Sequence, residues 1–171
     1  RDRIKRETAQ KDKEKYAGRP HDLIGLDEVS HFSQSQFRFI SAWNRHENPA
    51  QRCRVVLAGN PPTSPEGRWI VEEFAPWLDP EYEGSVARPG ELRWYTVLGG
   101  VLTWLDNEHP FMYEGERIVP RSRTFIPSRL TDNPILAATD YGSRLQALPE
   151  PLRSQLLYGD FTAGTEDDPW Q

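Results

Sequence analysis

The chain has 171 residues, with 21 basic and 26 acidic side chains for a net charge of −5, and it is 36 % hydrophobic with a single cysteine, Cys53. That length is one domain's worth, enough to bury a core unaided, and one cysteine excludes a disulfide framework and leaves a cytoplasmic protein as the default. No apolar run reaches the roughly 20 residues that span a bilayer; the best stretch, 97–105, is broken by Gly99-Gly100.

Charge is unevenly spread. Residues 1–16 hold seven basic and four acidic side chains, +3, and the remainder fourteen against twenty-two, −8. All four lysines (Lys5, Lys11, Lys13, Lys15) lie in the first segment. Non-specific nucleic-acid affinity comes from neutralising phosphates with Lys and Arg, so a surface this acidic predicts that DNA contact is local or made by other parts. The chain begins at Arg1 and its only methionine is Met112, which reads as an excised piece of a longer polypeptide.

In chain order, residues 1–16 offer only Ile4, Ala9 and Tyr16 as apolar positions, too few for a buried stripe. A solvated helix or exposed tail is expected, with a nucleic-acid arm as the second reading. Gly18-Arg19-Pro20 interrupts the chain, and 21–26 reads as a short strand ending in Asp27-Glu28. Beyond it, Phe32, Phe39, Ile40 and Trp43 gather on one side of a helix that Ser33 or Ser35 would cap. The β-branched run 54–58 predicts a buried parallel strand that stops at Gly59-Asn60-Pro61-Pro62. Pro65 and Glu66 open a helix carrying Trp69, Ile70, Glu73, Phe74 and Trp77. Strand, helix, strand, helix predicts an α/β fold with a parallel sheet, whose functional edge lies at the carboxyl ends of its strands.

After a polar loop, strands are expected over 92–98, 101–105 and 123–127, with Asp106, Glu108, Glu114 and Glu116 around a solvated hairpin. Asp132-Asn133-Pro134 caps a helix through Ala147, and Pro149-Glu150-Pro151 opens a second through Tyr158, stopped by Gly159. Residues 161–171 lack periodicity and read as a linker.

Two features carry chemistry. Neighbouring carboxylates at a strand's carboxyl end, Asp27-Glu28, suit a nucleoside triphosphatase: one associates with Mg²⁺ and the next orients and deprotonates the attacking water, the Walker B pattern. A polar strand end or a helix N-cap is the alternative reading. In a parallel sheet Asn60 would sit beside them, where its amide can hydrogen-bond a γ-phosphate or the lytic water; ordinary turn chemistry is the alternative. His21, His31, His46 and His109 show no metal-ligand spacing with Cys53, so no zinc site is expected. The tryptophans read as core or subdomain-interface residues, and Trp170 as a contact for an absent domain.

Residues 15–39, with Gly18, His21-Asp22-Leu23-Ile24, Asp27-Glu28, His31-Phe32 and Gln36-Phe37, resemble the Walker B region of large terminase subunits, the DNA-packaging motors of tailed bacteriophages. Residues 55–62, followed by Gly67-Arg68-Trp69-Ile70 and Phe74, resemble that family's coupling motif and next helix. Thr124-Phe125-Ile126-Pro127-Ser128, Asp132-Asn133-Pro134, Tyr141, Leu148-Pro149 and Gly159-Asp160-Phe161 resemble the segment that closes the terminase ATPase domain.

The resemblance implies part of an ASCE-type, RecA-like P-loop NTPase core that hydrolyses ATP to move viral DNA into a prohead. Residue by residue, Asp27 is then the Mg²⁺-associated acid, Glu28 the catalytic base, and Gly59, Asn60 and Pro61 the coupling motif. Arg45, Arg52, Arg54 and Arg68 are expected near the nucleotide edge, with Arg45 the candidate arginine finger for a neighbouring subunit, or all four salt-bridged to the acidic surface. The division implied is a charged tail (1–16), Walker B to coupling-motif core (17–131), helical lid or linker subdomain (132–160) and linker to a nuclease domain (161–171). Implied ligands are ATP and Mg²⁺. Implied partners are double-stranded DNA, a portal protein, a small terminase subunit and further copies in a ring, in the cytoplasm of a bacterial host and away from membrane. The Walker A loop, Gly-x-x-x-x-Gly-Lys-Ser/Thr, is missing: the chain has no Gly-Lys dipeptide. The family places it upstream and the nuclease downstream, so the piece alone is expected to be inactive. Two other readings stand beside this one, a non-catalytic assembly module and another ASCE ATPase of helicase type.

Overall fold

The computed structural model describes Gly18 and residues 20–164, so the charged segment 1–16 and Trp170 lie outside the described residues. Among these the fold is mixed α/β, with one parallel strand pair and two small antiparallel sheets. No helix in it is long and apolar enough to cross a membrane.

Leu23–Leu26 forms β1 with strict alternation: Ile24 and Leu26 are buried, while Leu23 and Gly25 lie on the exposed side. Arg54–Leu57 forms β2, parallel to β1, with Leu23 opposite Arg54 and Leu26 opposite Leu57. The expectation of a buried strand over 54–58 is corrected here. Val55 and Leu57 pack on the core, but Val56 is 53 % exposed, and Leu23 on the same open face is 56 % exposed. The pair is covered on one side only, whereas a parallel sheet ordinarily carries helices on both.

The covering layer is α1, Gln34–Ser41. Ser33, and not Ser35, is its cap: Ser33 Oγ accepts from Gln36 N at 3.2 Å while Gln36 Oε1 accepts from Ser33 N at 2.8 Å, a reciprocal capping box. Phe37 and Ile40 are the buried positions, Phe39 is only partly buried, and Trp43 falls beyond the helix end. Trp69 stacks on Phe37 with ring centroids 4.9 Å apart and donates its Nε1–H to Phe32 O at 2.7 Å, so the largest aromatic of the core has no unpaired polar atom.

The single helix expected through Trp77 is two short ones, α2 (Trp69–Glu73) and α3 (Ala75–Leu78), hinged at Phe74 with φ −122°. Pro76 causes the break: it has no N–H to return to the preceding turn and its ring collides with that turn's carbonyl. β3 (Arg93–Leu98) and β4 (Val101–Leu105) form an antiparallel hairpin across Gly99-Gly100, both at positive φ as a two-residue turn of this twist requires. The third strand of that sheet is β7, Arg121–Arg123, rather than the expected 123–127; residues 124–127 leave the ladder. β5 (Phe111–Tyr113) and β6 (Glu116–Ile118) make the acidic hairpin around Glu114-Gly115.

The helix expected from Pro134 through Ala147 is also divided, into α4 (Pro134–Ala137) and α5 (Tyr141–Gln146). Asn133 caps the first, accepting from Leu136 N at 3.1 Å. The break follows from Thr139, whose hydroxyl donates to Leu136 O at 2.7 Å and accepts from Tyr141 N at 3.2 Å, in competition with the helical ladder. The last element is a π-helical turn, Ser154–Tyr158, closed by Gly159 in the left-handed region.

Candidate functional site

The two parallel strands end side by side, and their exits are stitched together. Ala58 N donates to Leu26 O at 2.8 Å, and Val29 N donates to Ala58 O at 2.9 Å, so the ladder continues one step past each strand. Asp27-Glu28 therefore lies against Ala58-Gly59, with Asn60 the next residue out. Asp27 and Asn60 are exposed and Glu28 is half-buried.

Backbone conformation sets Glu28 apart. It sits at φ 55°, ψ 49°, left-handed, and Glu114 in the β5–β6 turn is the other described non-glycine residue at positive φ. Glu114 is in a two-residue hairpin turn, which demands that conformation. Glu28 follows a strand end that makes no such demand, and the strain is of order 1–3 kcal/mol, a kind that concentrates at functional sites. Asp27 Oδ1 accepts from Glu28 N at 3.1 Å, which fixes the dipeptide locally.

Gly59 is required at its position. A Cβ there would lie 2.9 Å from Val29 N and 3.3 Å from Val29 Cγ1, so only glycine lets the second loop lie flush on the first. Pro61 and Pro62 are buried. Gly67 packs on Pro62 so closely that a Cβ would be 2.5 Å from the proline Cβ. The loop 59–62 is thus held from both sides, leaving Asn60 as its exposed side chain.

Of the four arginines expected at this edge, three stand at the opposite end of the pair. Arg54 is the first residue of β2, Arg52 precedes it, and Arg45 donates its backbone N–H to His21 O at 3.0 Å, ahead of β1, with its guanidinium 5.1 Å from the Trp43 ring centroid. Arg52 and Arg54 are close to Asn60 along the chain, but a strand of four residues holds its first and last residues about 10 Å apart. Arg68 follows the carboxyl edge, as the C-cap of the turn Pro65–Gly67.

Gln155 escaped the sequence reading, and Asp160 entered it only within the Gly159-Asp160-Phe161 run, with no role of its own. Gln155, 4 % exposed, donates to Pro62 O at 3.0 Å and to Ala163 O at 2.9 Å, joining the C-terminal turn to the loop 59–62. Asp160 holds the segment that brings Ala163 there. Its Oδ1 accepts from Thr162 N at 2.8 Å, Thr162 Oγ1 at 2.7 Å and Ala163 N at 3.2 Å; the Thr162 hydroxyl is the largest influence on its carboxyl, burial opposes it, and with the two amides assisting the carboxyl is held below the usual Asp range. In the sequence Gln155 is an ordinary polar residue that no spacing marks, and the run containing Asp160 does not reveal which groups its carboxylate holds.

Among the described residues no three His, Cys, Asp or Glu side chains gather as a metal-holding group. Asp27 and Glu28 supply two hard oxygen donors, which suits an ion such as Mg²⁺ that keeps several waters and substrate phosphate oxygens in its shell. No family model, curated protein or solved structure matches the chain.

Proposed function

We propose that the edge formed by Asp27, Glu28 and Asn60 is half of an ATP-hydrolysing site, and that the chain is the Walker B to lid portion of a DNA-packaging ATPase of the large-terminase kind. The observation that carries the reading is the stitched pair of strand exits, which sets a left-handed Glu28 beside the glycine-anchored Asn60 loop. The exposed apolar face of Leu23 and Val56 supports a piece of a larger parallel α/β core, since such pairs ordinarily have both faces covered.

In this reading Glu28 orients a water and takes its proton as the water oxygen attacks the γ-phosphorus; the bond from that phosphorus to the β–γ bridging oxygen breaks, and ADP leaves with that oxygen. Asp27 would hold Mg²⁺, which when bound neutralises charge developing on the phosphate oxygens. Asn60 donates an amide hydrogen to the γ-phosphate or holds the lytic water. The phosphate cradle and its lysine belong to an upstream segment. Double-stranded DNA, portal protein, small terminase subunit and neighbouring copies are the partners that go with this assignment, and Arg45, exposed at the far end of the strand pair, would then serve a neighbour's nucleotide and not its own.

The test is Glu28→Gln in the complete polypeptide that carries these residues. ATP hydrolysis falls by 10² or more, the scale of a general base, while nucleotide affinity stays within about twofold. Retained turnover would sink the assignment.

A further inference from the structure

Gln155 and Glu73 are the two described polar or charged residues that are buried, at 4 % and 3 % exposure. Glu73 serves an ion-pair network, whereas Gln155 serves the backbone. The Gln155 Nε2 donates to two backbone carbonyls, Pro62 O and Ala163 O, and the first bond closes a sequence separation of 93 residues. Leaving a buried carbonyl such as Pro62 O unpaired is costly, and the Pro61-Pro62 pair has no backbone N–H with which to satisfy neighbours.

The position of this bond matters more than its strength. The loop 59–62 is pinned at its start where Gly59 lies on Val29, and at its end where Pro62 meets Gly67 and Gln155. Asn60 is between the two pins. The other bond of Gln155 reaches the segment that Asp160 organises, in which Phe161 packs edge-on against Phe125 at 5.6 Å. One side-chain amide therefore ties the Asn60 loop to residues 160–164.

The geometry points to Gln155 as a positioning residue for Asn60: it fixes the end of the loop so that the Asn60 amide is presented to the reacting phosphate, and it makes loop and C-terminal segment move together. This rests on the hydrolytic reading of the Asp27, Glu28 and Asn60 edge. Gln155 touches no reacting atom and acts through the loop.

The experiment uses the complete polypeptide with Gln155→Met, which keeps the bulk and removes the donor. Gln155→Asn, an amide too short to reach both carbonyls, serves if the first variant does not fold. The expected result is a kcat for ATP hydrolysis about tenfold lower with KM within twofold, and no further loss when Asn60→Ala is added, because both changes remove the same contact. An unchanged kcat, or losses that multiply in the double variant, would overturn the proposal. The tie is read separately by NMR: the backbone amides of Asn60 and Ala163 both shift in Gln155→Met, and shifts confined to 152–158 overturn it. A wild-type protein that hydrolyses no ATP defeats the hydrolytic reading and with it the positioning role, while the NMR result still decides whether Gln155 joins the two segments.

Discussion

Arg123 Nη1 lies 3.0 Å from the Glu73 carboxylate, and both side chains are withdrawn from water, at 9 % and 3 % exposure. The same guanidinium nitrogen donates to the Glu73 backbone carbonyl, and Arg123 is surrounded by the rings of Tyr95, Phe74 and Trp104 at 4.1, 4.9 and 5.9 Å. Glu73 also accepts from Gln34 Nε2 at 3.1 Å and from Arg38 Nε and Nη2 at 3.0 and 2.9 Å. One carboxylate thereby joins α1, α2 and the β3–β4–β7 sheet.

Removing one partner of this pair strands the other as a buried charge. Glu73→Leu is expected to cost about 3–5 kcal/mol, and Glu73→Leu with Arg123→Met to cost less than the two single changes added together. Urea unfolding of the three variants reads this directly, and strict additivity would mean the pair is not coupled.

Glu28 trades stability for position. Glu28→Gly removes the left-handed strain and is expected to leave the fold as stable or to stabilise it by about 1 kcal/mol, while ATP hydrolysis by the complete polypeptide is lost. A clear drop in the unfolding midpoint would show that the Glu28 side chain supports the fold and is not held there at a cost.

Gly59→Ala places a methyl 2.9 Å from Val29 N. The two loops must separate to admit it, at a cost of roughly 1–3 kcal/mol as for other overpacked sites. Hydrolysis should fall along with stability, because Asn60 moves away from Glu28. Full activity in Gly59→Ala would show that the spacing of the loops is unimportant.

Asp160 confers acid sensitivity. Its carboxyl is held below the ordinary value, mainly by the Thr162 hydroxyl, so its contribution is fully present above the ordinary Asp pKa of about 4 and is lost as pH falls through the depressed value. The Gln155 side-chain amide resonances should therefore titrate below about pH 4 as Ala163 is released. Asp160→Asn should abolish that titration; an identical titration in the variant would assign it to another group.

The amino-acid sequence by itself determined what is local. β1 and β2 follow from short apolar runs, the start of α1 from Ser33 and Gln36, the hairpins from Gly99-Gly100 and Glu114-Gly115, and the end of the last turn from Gly159, because each depends on neighbours a few positions away. The candidate edge was legible too, since strand polarity alone puts Asp27-Glu28 beside Asn60. Helix continuity was not: Pro76 and Thr139 broke two helices whose apolar spacing runs straight through. Only the tertiary structure decided that Glu28 is left-handed, that Arg45 and Arg54 stand at the far end of the strands, and that Glu73 meets Arg123 and Gln155 meets Pro62. Those pairings join residues 50 and 93 positions apart. Burial sets their energies, and burial arises only once the chain has packed.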